Sequence, residues 1–251
     1  MTTREVALVT GANKGIGREI TRRLASEGMT VYLGARDEQR GRTAEKELAR
    51  DGLDVHFVQL DVTDQGQVDA AAKRIEREAG HLDVLVNNAG VAVEWGVAVP
   101  NVTAALMRQA YDVNVFGVVA VTSACVPLLR RSAAGRVINM SSPLGSLQLM
   151  TDPTSPVAAR GLLAYNSSKA ALNAITVLYA NALRADGTRV NVANPGLVGT
   201  DLNGLSPTAD GVRTVEQGAE VPVRLALQNG DGPTGKFLGD DDFAVDGIVP
   251  W

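Results

Sequence analysis

The sequence is poor in the residues that build metal centres and covalent staples. A single cysteine, Cys125, cannot close an internal disulfide, and two histidines, His56 and His81, leave no Cys/His spacing for a structural zinc. Aromatic residues make up only 4% of the 251 positions, too few for a surface that stacks the bases of a single strand. Positive charge is not in surplus either: 24 Lys and Arg against 28 Asp and Glu leave a formal charge of −4. No bulk field therefore draws in a phosphate backbone or an anionic membrane face, and neither nucleic acid nor membrane is an expected partner. The longest apolar run, 115–129, is interrupted by Thr122, Ser123 and Pro127. It falls short of the roughly twenty residues that span a bilayer and reads as a buried helix. The N-terminal segment lacks the charged, apolar and small-residue regions of a signal peptide, so the expected location is cytoplasmic.

What is present is material for an interior. Hydrophobic residues form 45% of the chain, and a chain of this length buries roughly three quarters of the surface that its unfolded form exposes. One domain over residues 1–251 is expected. Short β-branched runs alternate with longer stretches of helical spacing. Strands are expected at 6–10, 30–35, 54–60, 84–87, 136–141, 189–193 and 236–238, and helices at 16–27, 38–50, 65–78, 103–131, 163–185 and 216–227. The strands are apolar almost throughout, which suits a parallel sheet covered by helices on both faces. The predicted architecture is α/β: a doubly wound, seven-stranded parallel sheet. Irregular stretches at 91–101, 143–161 and 197–213 follow strands directly, where such sheets hold their ligands, whereas 228–235 does not.

The first strand runs into Gly11, Ala12, Asn13, Lys14, Gly15, Ile16 and Gly17 and then an amphipathic helix. Glycines let the backbone turn tightly against a pyrophosphate, and free N–H groups with the positive end of a helix dipole attract it. A dinucleotide fits this turn, which makes the domain Rossmann-type, although the spacing is G-x-x-x-G-x-G. After the second strand comes Arg36, where an acidic residue would accept the ribose hydroxyls of NAD. Its planar fork suits a ribose phosphate, and Lys14 adds a charge on the same side, so NADP (NADPH) is the expected cofactor. Two ordinary surface cations are the plainer alternative, with the adjacent Asp37 left to reach a ribose hydroxyl. Asp61, ending the third strand, either accepts from an adenine amino group or caps the next helix.

Further pieces follow in order: Asn87, Asn88, Ala89 and Gly90 ending the fourth strand; Asn114 in a long helix; Ser141 and Ser142 ending the fifth strand; Tyr165 and Lys169 opening the next helix; and Pro195, Gly196 and Thr200 after the sixth. With the glycine turn, this set resembles the short-chain dehydrogenase/reductase family across almost the whole chain. The resemblance implies an oxidoreductase. It places the cofactor against Gly11, Asn13, Lys14, Gly15, Ile16, Gly17, Arg36, Asp61, Val62, Asn88, Ala89, Gly90, Tyr165, Lys169, Pro195, Gly196, Val198 and Thr200. It assigns catalysis to Asn114, Ser142, Tyr165 and Lys169, with Ser141 as the alternative to Ser142, and no metal.

The chemistry accounts for these residue types. Tyr165 and Lys169 are four apart and share one helix face. A free phenol, with a pKa of about 10, is a poor proton shuttle at neutral pH. A nearby ammonium, and in oxidation the nicotinamide cation, is expected to bring it toward working pH. By resemblance Lys169 also holds the nicotinamide ribose, a serine hydroxyl polarises the substrate carbonyl, Asn114 holds a water in the proton path, and Val198 with Thr200 meets the carboxamide. Cys125 and His56 read as ordinary core and strand residues, and Asp240, Asp241 and Asp242 as a solvated acidic loop rather than a metal site.

Ser142 and Tyr165 are 23 positions apart, roughly ten more than in many members of the family, and loops of that size in a compact domain tend to be functional. This insertion, 143–161, is similar to a shorter form of the one in monomeric carbonyl reductases. The resemblance to that subgroup implies a monomer rather than a dimer or tetramer, with a hydrophobic ketone, aldehyde or quinone as substrate. Trp95, Leu147, Met150 and Leu202 are candidate pocket residues. Two alternatives remain at this point: a ketoreductase acting on a tethered β-keto acyl or polyketide substrate, and a non-catalytic NADP(H)-binding sensor.

Overall fold

Alternate residues of the first strand point to opposite sides, and each side buries its own core. In the computed structural model, which describes residues 4–206, 208–228 and 232–251, β1 (Val6–Thr10) sends Ala7 and Val9 into one apolar cluster and Val6 and Leu8 into another. The remaining strands are β2 (Thr30–Ala35), β3 (Val55–Gln59), β4 (Val84–Asn87), β5 (Arg136–Met140), β6 (Arg189–Ala193) and β7 (Phe237–Leu238). All pair in parallel, in the order β3-β2-β1-β4-β5-β6-β7. The expected seven-stranded, doubly wound sheet is therefore present. Its order reverses between β1 and β4, which opens a crevice at the carboxyl ends of those strands. The first three residues, Pro207 and residues 229–231 lie outside the described residues, and with them parts of the N-terminal reading and of the stretches at 197–213 and 228–235.

The helices cover the sheet as their spacing predicts. In α1 (Gly15–Ser26), Ile20, Leu24 and Ala25 are buried while Arg18 and Arg22 face outward. It shares one face of the sheet with α2 (Glu38–Arg50), whereas α3 (Gln65–Ala79) contributes Val68, Ala71 and Ile75 to the opposite face. Asp64 is the cap of α3, its side chain accepting from the Gln67 N–H, so Asp61 is not the helix cap.

Three elements differ from their expected boundaries. The predicted helix at 103–131 runs from α4 (Ala104–Tyr111) to α5 (Val118–Leu129) through a widened π segment, Asp112–Gly117, which contains Asn114. The whole Ala104–Leu129 stretch is long and apolar enough to cross a bilayer, yet Val115, Val118, Val121, Cys125, Leu128 and Leu129 are buried inside the domain. After the short α6 (Leu147–Thr151) and the long α7 (Leu163–Ala182), the predicted helix at 216–227 is split into α8 (Val215–Gly218) and α9 (Glu220–Ala226). Pro222 has no N–H to return to the Gly218 carbonyl, so the first helix cannot run on through it. Finally, β3 spans Val55–Gln59, although the Asp54 carbonyl still accepts from the Val31 N–H of β2 at 2.9 Å and its carboxylate is held by Arg4, Thr30 and His56.

Candidate active site

The phosphate-binding turn is built by close approach. A Cβ on Gly17 would lie 2.4 Å from Asn88 Nδ2 and 2.6 Å from the Gly11 carbonyl oxygen. Asn88 Nδ2 donates to the carbonyls of Thr10 and Gly11, while the N–H groups of Asn88 and Ala89 both donate to Thr10 Oγ1 at 3.0 Å. The ends of β1 and β4 are thereby tied together, and Thr10, which the motif reading passes over, is the knot. At the start of α1 the capping position is Lys14, which supplies no side-chain acceptor. The first-turn N–H groups thus face a cleft of about 580 Å³. This uncapped helix end fits a pyrophosphate.

Every residue expected to touch the cofactor lines that cleft except Gly196 and Val198. Gly196 takes a positive φ of 76° with its N–H on Asn194 Oδ1, and Val198 is buried with its carbonyl accepting from Asn203 Nδ2 at 2.9 Å. Both are turn-forming positions, and Gly199, Thr200, Asp201 and Leu202 present the wall instead. Arg36 lines the mouth of the cleft, whereas the neighbouring Asp37 is committed to capping α2, its Oδ1 accepting from the Arg40 N–H at 2.9 Å. A ribose phosphate fits that pairing of a presented guanidinium and an engaged carboxylate. Lys14 is engaged across the mouth by Asp201, which holds the Asp201 carboxyl below its ordinary range. Releasing Lys14 should favour an anionic ligand. Asp201→Asn is expected to tighten NADPH binding by about two- to fivefold, the scale of an exposed ion pair, as read by fluorescence titration, and the gain should shrink in high salt.

The catalytic candidates are set by one polar seam. Along α7, Lys169, Asn173 and Thr176 share a stripe that lies over the end of β5. Lys169 Nζ donates to the Met140 carbonyl at 2.8 Å, Asn173 Oδ1 accepts from Ser141 Oγ at 2.8 Å, and Thr176 Oγ1 accepts from Asn139 Nδ2 at 2.8 Å. This fixes the rotation of the helix and hence where Tyr165 points. The insertion presses on the same helix: a Cβ on Gly145 would be 2.7 Å from the Lys169 carbonyl carbon, and Asn166 Nδ2 donates to the Arg160 carbonyl. Side chains of a strand end alternate, so Ser141 turns to Asn173 while Ser142 turns toward the hydroxyl of Tyr165 and hydrogen-bonds it. Asn114 lies behind the cleft wall. Its amide nitrogen donates to the Val91 carbonyl and to Ser168 Oγ, and its oxygen accepts from the Val91 N–H.

Electrostatics here depart from the expected sense. Burial pushes the Tyr165 phenol up to about 12; the Ser142 hydrogen bond pulls it down, and the negative charge of Glu94 pushes it up further. Burial brings Lys169 down to about 8. The ammonium stands 5.6 Å from the centre of the Tyr165 ring with its hydrogen bond given to Met140. In the protein alone, desolvation outweighs its pull. The phenol is a neutral O–H at working pH, as a proton donor must be.

Residues 5–210 match the short chain dehydrogenase family. The chain belongs to that family. It is 34% identical to (+)-neomenthol dehydrogenase of Arabidopsis thaliana, over 94% of this chain and 96% of the relative. It is also 34% identical to carbonyl reductase [NADPH] 1 of Mus musculus, over 99% of each. Among solved structures, NADPH-bound carbonyl reductase from chicken fatty liver superposes with a TM-score of 0.84 at 28% identity, covering 100% of both chains. This short-chain dehydrogenase is accordingly an oxidoreductase.

The pocket candidates divide. Leu202 lines the cleft, and Trp95, half-exposed, donates Nε1–H to its carbonyl at 3.0 Å, joining the loop after β4 to the segment after β6. Leu147 is exposed on α6, and Met150 meets Asn166. The acidic loop is partnered rather than merely solvated: Asp240 pairs with Arg213 and Asp241 accepts from Asn194.

Proposed function

We propose that this short-chain dehydrogenase reduces a hydrophobic ketone, aldehyde or quinone with NADPH, and that Tyr165 is the general acid. The observation that carries this is a buried, protonated phenol hydrogen-bonded to Ser142 beside the same cleft that exposes the uncapped end of α1. NADPH supplies the hydride when bound. Tyr165 gives its proton to the substrate oxygen as negative charge develops there, and Ser142 polarises the carbonyl. Lys169, anchored on Met140, stands where it can hold a ribose hydroxyl. Asn114 fixes the Val91 backbone and, through Ser168, the turn of α7 between Tyr165 and Lys169. The insertion is fastened to α7 through Asn166, whose Nδ2 meets Met150 Sδ and donates to the Arg160 carbonyl.

The test follows NADPH consumption by the purified protein across apolar ketones, aldehydes and quinones. Turnover of apolar carbonyls is expected. Activity confined to carrier-tethered β-keto acyl substrates would make it a ketoreductase, and tight NADPH binding with no turnover on any of them would make it a sensor. For the cofactor, Arg36→Ala is expected to weaken NADPH binding about ten- to a hundredfold, the scale of a charge-assisted hydrogen bond, and to leave NADH binding nearly unchanged. Parallel fluorescence titrations with the two nucleotides check this, and an unchanged preference would remove Arg36 from ribose recognition.

A further inference from the structure

We propose that Glu94 is a positioning residue for Tyr165: from outside the helix its carboxylate ties down the turn that carries the phenol. This rests on the reading of Tyr165 as the general acid. Glu94 lies in the loop after β4 and is 0% exposed, an unusual place for a carboxylate. Its Oε1 accepts from the backbone N–H of Tyr165 at 2.7 Å, and its Oε2 accepts from the Val93 N–H at 3.2 Å.

The helix needs that acceptor. The first four N–H groups of a helix have no partner within it, and Ser, Thr, Asp or Asn at the capping position usually supplies one. The capping residue of α7 is Leu162, which supplies none, and its first turn contains no acidic residue. A carboxylate 71 positions earlier in the chain does the work, opposite the positive end of this 20-residue helix. The neighbouring Trp95 binds the segment after β6 through Leu202, so two adjacent residues of one loop hold the catalytic helix and the far wall of the cleft.

The groups facing the Tyr165 phenol are the Ser142 hydroxyl at the end of β5, Lys169 one turn along α7, and Glu94 from the loop. Lys169 is turned to Met140, so the negative charge of Glu94 is poorly offset. A negative neighbour disfavours the phenolate, which suits proton donation in carbonyl reduction and opposes the phenolate needed for alcohol oxidation.

Two variants separate position from charge. Glu94→Gln keeps an oxygen acceptor and removes the charge; Glu94→Ala removes both. Without cofactor, the tyrosinate absorbance of Glu94→Gln, taken as a difference from its Tyr165→Phe double variant, should begin about one pH unit lower than the same difference for the wild type. The acid limb of alcohol oxidation should move down in pH by a similar amount, with NADPH affinity unchanged. Glu94→Ala should expose the first turn of α7 to hydrogen exchange and lower kcat about tenfold, with most of that loss restored in Glu94→Gln. Coincident titration and pH profiles in Glu94→Gln, or unchanged exchange and kcat in Glu94→Ala, overturn the proposal. If Glu94→Ala does not fold, the Gln variant decides alone. If the wild type turns over no carbonyl or alcohol, the proposed function fails, and the cofactor-free titration and exchange still decide the role of Glu94.

Discussion

Tyr165→Phe is expected to lower kcat for carbonyl reduction by about 10²–10⁴-fold, with little change in NADPH affinity or melting temperature. The ring is buried to 8% exposure, and the substitution leaves its packing in place. What goes is one hydroxyl whose partner is Ser142. No neighbour can replace the proton. Lys169 gives its hydrogen bond to the Met140 carbonyl and stands 5.6 Å from the ring centre, and Ser142, as a neutral alcohol, is a far weaker acid than a phenol. Folding should be nearly unaffected because removing a buried hydroxyl also removes the cost of desolvating it. Stopped turnover with intact nucleotide fluorescence and an intact thermal transition is the expected pattern. A variant that still turns over at the wild-type rate would take Tyr165 out of the proton-transfer step, and a variant that no longer binds NADPH would make the hydroxyl a binding group.

Much of this architecture was legible because it depends on short-range rules. Alternating burial in β1, the glycine turn before α1 and the four-residue spacing of Tyr165 and Lys169 are local, and each leads to one geometry. The readings that changed depend on where a side chain finds its partner. Spacing puts Lys169 beside Tyr165, but only the fold shows that its Nζ is directed to the Met140 carbonyl, so that burial decides the phenol's acidity. Asp61 reads in the sequence as either a helix cap or a partner of the adenine amino group; in the fold the Gln67 N–H is held by Asp64 instead. Glu94 carries no sequence signal at all, since it sits in an irregular stretch and a carboxylate is ordinarily assigned to the surface. The helix end that it caps lies 71 positions away. Gly196 and Val198 belong to the turn that shapes the cleft wall rather than to the wall, a distinction invisible in a linear motif.

Replacing each of the paired serines should separate catalysis from packing. Ser142→Ala is expected to lower kcat about 10²–10³-fold, the usual loss when a donor to a developing oxyanion is removed. Stability should fall by two contacts, the 3.2 Å bond that Ser142 Oγ accepts from the Leu144 N–H in the turn at Pro143–Gly145 and its bond with the Tyr165 hydroxyl. Ser141→Ala should do the reverse. Ser141 Oγ is buried and donates to Asn173 Oδ1 at 2.8 Å. Its loss strands a buried carbonyl in the seam between α7 and β5, at a cost of about 1–3 kcal/mol. The melting temperature should drop, while kcat per folded molecule stays within a few-fold of wild type. The sheet geometry explains why the two neighbours differ: consecutive residues at a strand end face opposite ways, one toward the helix and one toward the phenol. Thermal unfolding and initial rates on both variants settle the matter, and a catalytic loss in Ser141→Ala together with normal turnover in Ser142→Ala would reverse the two assignments.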